Sequence, residues 1–219
     1  MDYSVERFVL TPFEENCYVL YTKGSSNAVI IDPGDVTPEL LDFLQRARLT
    51  PKFVILTHGH FDHMGGVARL KELFGAAVVA IHALDAPMVG EPHVGGARLF
   101  GFDADPVTPD WLLADGDRVR EGDINLVVLH TPGHTPGGIT LYDENHRIAF
   151  CGDLIFRGAI GRYDLPGSDG VQLARSILTK ILALPDHVKL FPGHGPETTV
   201  GIERRTNPFV LEWLRHEPQ

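Results

Sequence analysis

The sequence predicts an α+β fold in a single domain, 1–219, with two sheets sandwiched between helices. Three observations predict it. Strand-like runs, helix-like segments, further strands and further helices follow one another along the chain. No internal repeat or low-complexity linker interrupts them. A chain of 219 residues with 43% hydrophobic content is also long enough to bury one sizeable core.

The elements follow in order. Strands are expected at 8–11, 17–22 and 28–32, and a helix at 39–47, with Thr37 as N-cap and Pro38 at the first helical position. Residues 52–57 read as a buried strand, because Phe53-Val54-Ile55-Leu56 is too continuous for a sheet with one wet face. A helix at 68–74 and a buried strand at 76–82 come next. The stretch 83–109 is rich in glycine and proline and has the weakest pattern, which suits short helices with a loop, a flap over a site. Strands return at 118–119, 124–131, 139–142 and 148–151, the last two joined by a hairpin turn at 143–145. A helix at 172–183, a short strand at 189–191 and an amphipathic helix at 201–215 finish the chain.

Composition narrows the function classes. With 19 basic and 29 acidic residues the formal charge is −10, and the longest basic run is Arg204-Arg205. An acidic chain without clustered cations is a poor polyanion binder, so a small molecule is the expected substrate and nucleic acid is not. No apolar run approaches the roughly 20 residues of a membrane span, and residues 1–8 lack the pattern of a signal peptide. Cys17 and Cys151 make no disulfide framework. They suit a reducing cytoplasm and read most simply as small core residues.

Seven residues carry the chemistry. His58, His60, Asp62 and His63 crowd into Thr57-His58-Gly59-His60-Phe61-Asp62-His63. The other three, His134, Asp153 and His194, follow singly in the turn-like settings Thr131-Pro132-Gly133-His134, Gly152-Asp153 and Pro192-Gly193-His194-Gly195. Imidazole and carboxylate are ligands that zinc, iron and manganese all accept. His58 and His60, leaving a buried strand two residues apart, can emerge on one side. Asp62 and His63 would enter the next helix, whose N-terminus tolerates a carboxylate, and Gly65-Gly66 would let that helix pack closely on the sheet. His134, Asp153 and His194 each follow an apolar strand, so ligands at adjacent strand ends can converge on one edge. Two divalent ions would bring the formal charge from −10 to −6. Isolated histidines are usually ordinary hydrogen-bonding groups, and His82, His93, His130, His146, His187 and His216 are read so.

His58-x-His60-x-Asp62-His63, the following Gly65-Gly66, and the order of His134, Asp153 and His194 resemble the signature of the metallo-β-lactamase-fold hydrolases. The resemblance implies a four-layer αββα sandwich with its metal site at one edge. It further implies one ion on His58, His60 and His134, a second on Asp62, His63 and His194, and Asp153 bridging. Asp62 would also orient the nucleophile, and Asp153 would fix the spacing of the ions. The β-lactam-hydrolysing branch more often carries cysteine at the position of Asp153. Residues 131–138, Thr-Pro-Gly-His-Thr-Pro-Gly-Gly, and 161–166, Gly-Arg-Tyr-Asp-Leu-Pro, resemble the glyoxalase II group. About 25 residues follow His194, so the likeness is to short glyoxalase II-like hydrolases rather than to full-length hydroxyacylglutathione hydrolase, which adds a helical glutathione-binding region.

The activity implied is hydrolysis of a hydroxyacyl thioester of the S-lactoylglutathione type. The nucleophile would be a hydroxide shared by two divalent ions (zinc, iron or manganese) roughly 3.5–4 Å apart. Arg162 and Tyr163 are candidate substrate contacts, Arg162 for a carboxylate and Tyr163 for the wall of the site. Arg204, Arg205 and Asn207 could reach the same mouth, although the arginines read more simply as capping and solvating the last helix. A persulfide dioxygenase resembles the same family and holds one iron, here on His58, His134 and Asp153. A lactonase shares the motif through Gly65-Gly66.

Overall fold

Residues 2–216 are described by the computed structural model, apart from Thr11, Ala76, Pro92, 98–100 and Asp103. The first sheet holds β1 (Tyr3–Leu10), β2 (Glu15–Thr22), β3 (Asn27–Ile31), β4 (Thr50–Ile55), β5 (Val78–His82) and β6 (Trp111–Leu113), in that spatial order. β1 to β3 pair antiparallel and β3 to β6 parallel. The second sheet contains β7 (Arg118–Glu121), β8 (Ile124–His130), β9 (Ile139–Asp143) and β10 (Ile148–Gly152). A separate ribbon of β11 (Ile155–Phe156) and β12 (Ala159–Ile160) precedes its last strands, β13 (Lys189–Pro192) and β14 (Thr198–Thr199). The spatial order is β14-β13-β10-β9-β8-β7, and only β10 and β13 run parallel.

Side-chain alternation turns these sheets into layers. In β2, Tyr18 and Leu20 enter the core between the sheets, while Cys17 and Val19 enter the core on the outer face. In β10, Ile148 and Phe150 face the first sheet, and Ala149 and Cys151 face away from it. Helices cover both outer faces. α1 (Pro38–Ala47) buries Leu40 and Leu44 on the first sheet. Thr37 caps it by accepting from the Leu40 N–H at 3.3 Å, and Pro38 stands in its first turn. α2 (Phe61–Met64) and α3 (Val67–Phe74) add Met64, Val67 and Leu70 to the same core. Beyond α4 (Ala86–Gly90), the second outer face is covered by α5 (Gly170–Ser176), a π-helical turn (Ile177–Ile181), α6 (Val200–Thr206) and α7 (Pro208–His216). The result is the expected αββα sandwich.

Four local expectations need correction. The first strand begins at Tyr3 rather than residue 8, and its expected last residue, Thr11, lies outside the described residues, as does Ala76. The final helix is two helices. Pro208 has no N–H to continue the ladder, and Asn207, at φ −70° and ψ 118°, is extended as a residue before proline prefers. The helix expected at 172–183 passes from α-helical to π-helical at Ile177. Gly65 and Gly66 give close approach to a loop rather than to the sheet. A Cβ there would stand 2.6 Å from the Gly34 carbonyl oxygen and 2.7 Å from that of Pro33.

Candidate metal centre

All seven candidate ligands lie beyond the C-terminal ends of strands, in the loops or the short helix that follow them. β4 runs through Leu56 and Thr57 into His58, Gly59 and His60, and α2 then carries Asp62 and His63. β8 leads to His134, β10 to Asp153 and β13 to His194. Parallel pairing of β10 with β13 sets the last two loops side by side, with a register shift at Gly152. Gly152 has φ +49°, and a Cβ there would stand 2.3 Å from Thr57 Oγ1, so only glycine lets the chain turn past Thr57 into Asp153.

The side chains fall into two sets. His58, His60 and His134 present ligand atoms within 4.8 Å of one another, and so do Asp62, His63 and His194. Asp153 stands between the sets. Its Oδ2 is 3.6 Å from His134 Nε2 and 3.6 Å from His194 Nε2, and its Oδ1 is 3.4 Å from His63 Nε2. Asp32, His58 and His63 also bring ligand atoms within 4.8 Å of one another. Asp32, however, is engaged on the far side of His63, as an acceptor.

Hydrogen bonds choose the nitrogen that each ring turns toward the centre. The Arg162 carbonyl lies 2.8 Å from His134 Nδ1 and the Phe13 carbonyl 3.1 Å from His194 Nδ1. A carbonyl only accepts, so Nδ1 carries the proton in each and Nε2 is left as the ligand atom. Asp32 Oδ2 lies 3.1 Å from His63 Nδ1, with the same consequence. Asp32 also accepts from the Thr57 N–H at 2.7 Å and the Thr57 hydroxyl at 2.5 Å. The Thr57 oxygen then lies 3.1 Å from His58 Nδ1 and can accept from it.

Electrostatics separates the two sets. Burial, reinforced by neighbouring imidazoles, holds His58 well below the ordinary histidine range and pushes His60 down to about 3. Burial alone would lower His63 as well, but the carboxylates of Asp153 and Asp62 outweigh it and raise this ring well above the ordinary value. His194 is raised in the same way, mainly by its hydrogen bond to Asp62. Burial would raise Asp153, but His63 and the other imidazoles hold it well below the usual carboxylate range. Asp62 is lowered, with His63 and His194 overcoming burial.

The donor set fits divalent metal. His58 Nε2, His63 Nε2 and Asp153 Oδ1 are buried with no hydrogen-bond partner, a costly state that coordination relieves. Three buried carboxylates that brace the site were not singled out by sequence reasoning. Asp32 ends an apolar strand before Pro33-Gly34, as the ligands end theirs, and that signal could have found it. Glu15 is 1% exposed, and its Oε1 lies 3.9 Å from His63 Nδ1. Burial raises its carboxyl well above the ordinary value. Asp85 is fully buried and accepts from Gly59 N at 3.1 Å, Thr135 Oγ1 at 2.6 Å and Gly137 N at 2.6 Å.

A cavity of about 310 Å³ opens onto the centre and is lined in part by His60, Asp62, His134, Asp153 and His194. Arg162 lines it too, with its guanidinium paired to Asp164 at 2.9 and 3.0 Å. Tyr163 does not line it, and its ring lies against Gly170. Nor do the tail residues: Arg204 and Arg205 pair with Asp186, and Asn207 is buried against Glu203 and the Ala159 carbonyl. Of the histidines read as ordinary groups, His82 and His130 stack with centroids 4.1 Å apart, and His146 bonds Asp143.

The family model described as "Metallo-beta-lactamase superfamily" matches residues 10–194. Hydroxyacylglutathione hydrolase GloC of Haemophilus influenzae is 37% identical over 209 residues, 94% of this chain and 98% of that protein. Two solved structures are similar along nearly their whole length. The BLEG-1 B3 metallo-beta-lactamase is 38% identical with a TM-score of 0.86, covering 94% of this chain and 99% of that one. TTHA1623, solved in a di-iron-bound form, is 43% identical with a TM-score of 0.84, covering 94% and 100%. Sequence, fold and full-length relatives agree, and this chain belongs to the metallo-beta-lactamase superfamily.

Proposed function

We propose that this metallo-hydrolase is a glyoxalase II-like thioesterase that cleaves a hydroxyacyl thioester of the S-lactoylglutathione type. The observation that carries the reading is the pair of ligand sets facing one cavity, with Asp153 within 3.6 Å of both. The resident ions are two divalent cations: zinc, iron or manganese. Bound there, they supply a hydroxide nucleophile near neutral pH and draw electron density from the carbonyl oxygen. The likeness to GloC supports the thioester, and the di-iron form of TTHA1623 supports iron as one occupant.

The chain's own groups supply the rest. Asp62 and Asp153 stay ionised beside His63 and His194, so both carboxylates are available to orient a nucleophile or hold ligand spacing. Fixed tautomers at His134, His194 and His63 keep each Nε2 pointed inward. In the reaction a C–O bond forms at the acyl carbon and the C–S bond breaks, its electron pair leaving with sulfur. A thiol has a pKa of about 8.5, so the thiolate leaves without a dedicated acid. Arg162, on the cavity rim, is the candidate contact for a substrate carboxylate. No helix among the described residues is long and apolar enough to cross a membrane. Two buried free cysteines fit a reducing cytoplasm as the place of action.

Elemental analysis paired with thiol release from S-lactoylglutathione tests this reading. Two ions per chain with thiol release support it. One iron per chain, no thiol release and oxygen uptake with glutathione persulfide would instead indicate the dioxygenase on His58, His134 and Asp153. That reading leaves the complete set of Asp62, His63 and His194 without a purpose. A β-lactam substrate belongs in the same assay, given the likeness to the BLEG-1 enzyme.

A further inference from the structure

The cavity has two unlike walls. Five candidate metal ligands form one, and the remainder, Arg162 apart, is apolar, contributed chiefly by Phe13, Phe61, Val94, Phe156, Ile160 and Leu165. Arg162 is the one lysine or arginine on the lining among the described residues, and Asp164 already matches its charge through two hydrogen bonds. A glutathione half carries two carboxylates and an ammonium. Taking those into an apolar cavity without partners is heavily penalised. The acyl half of a thioester carries no such charge. At about 310 Å³ the space falls within the range of sites that enclose a small organic molecule.

We infer that the acyl half enters this cavity, that the charged thiol half runs out past the Arg162 rim, and that acyl groups longer and more apolar than lactoyl are preferred. The inference rests on the thioesterase reading and refines its substrate class. Each methylene buried against the apolar wall raises the specificity constant about fourfold until the cavity is full. Val94 is a useful probe, because it is 50% exposed and so open to substitution without disturbing the buried cores.

The test uses the metal-loaded enzyme and S-lactoyl-, S-butanoyl-, S-hexanoyl- and S-octanoylglutathione, followed by thiol release. The expected result is a kcat/KM that climbs roughly tenfold or more from butanoyl to hexanoyl, both exceeding lactoyl. In Val94→Asp, with unchanged metal content, this slope flattens severalfold. Thiol release with a flat or falling profile overturns the acyl-cavity inference and leaves the thioesterase intact. A slope that persists in Val94→Asp and in Leu165→Asp also overturns it. No thiol release from any member of the series removes both readings together.

Discussion

Asp85 accepts a 2.6 Å hydrogen bond from the hydroxyl of Thr135, fifty residues further along the chain. The same carboxylate holds Gly59 N and Gly137 N. It thereby ties the loop bearing His58 and His60 to the loop bearing His134, and these three residues form one candidate ligand set. Gly137 makes the approach possible, since a Cβ there would stand 2.6 Å from Asp85 Oδ1. Asp85→Ala is expected to weaken metal affinity at this set by about 10–100-fold, the usual cost of losing an outer hydrogen-bond partner. Thr135→Val loosens it less, and Thr135→Ser restores it. Chelator titration with elemental analysis measures all three, and unchanged midpoints would sink the idea.

The two sets should lose metal at different pH. His63 and His194 are raised, so each must release a proton to bind an ion, and their affinity falls as pH drops below those raised values. His58 and His60 are held low and are already neutral at mild acidity, so protons do not compete at those two nitrogens. Dialysis at pH 6 should therefore strip about one ion per chain, from Asp62, His63 and His194, before the other. Simultaneous loss of both ions would count against this order.

Asp153→Asn keeps the side-chain volume and removes the charge that faces His63, His134 and His194. Because it touches both sets, turnover should fall on the order of 100-fold or more, beyond what outer partners cost. The melting temperature of the loaded enzyme should move by only a few degrees, equivalent to roughly 1 kcal/mol. Parallel kinetics and melts decide the matter, and a large fall in both would deny Asp153 a special role in the reaction.

Gly193→Ala probes the crowding behind the centre. A Cβ at 193 would stand 2.2 Å from Asp153 Oδ1 and 2.6 Å from His63 Cε1. His63 is buried and Asp153 is largely enclosed among His63, His134 and His194, so neither neighbour retreats easily. The variant is expected to bind less than one ion per chain while folding to a similar helix and strand content by circular dichroism. Full occupancy would show that the loop yields more readily than this packing implies.

Much of this molecule was legible in its residues because ligands announce themselves by type. His58, His60, Asp62, His63, His134, Asp153 and His194 are of the residue types that metals accept and follow apolar strands, and most of the strands were readable from their runs of branched side chains. Their supports were not legible. Asp85 lies in the glycine- and proline-rich stretch with no periodicity, and its importance exists only once Gly59 and Thr135 have been brought to it. Glu15 falls between the strands expected at 8–11 and 17–22, where nothing marked it, and is 1% exposed. β6 escaped notice because three residues are too few to show a pattern. The break at Asn207-Pro208 was readable, since a proline there forbids one continuous helix.

The joint between the two ends of the chain has a kinetic consequence. Asn16 donates its backbone N–H to Gly193 O at 2.7 Å, and its side-chain amide to the carbonyls of Pro192 and Gly195, 176 and 179 residues away. Phe13 likewise orients His194 across 181 residues. Contacts this distant in sequence close late, after the entropy of a very long loop has been overcome. The set that needs His194 closes the longer loop and is expected to form after the one on His58, His60 and His134, so uptake of its ion would time the arrival of the native state.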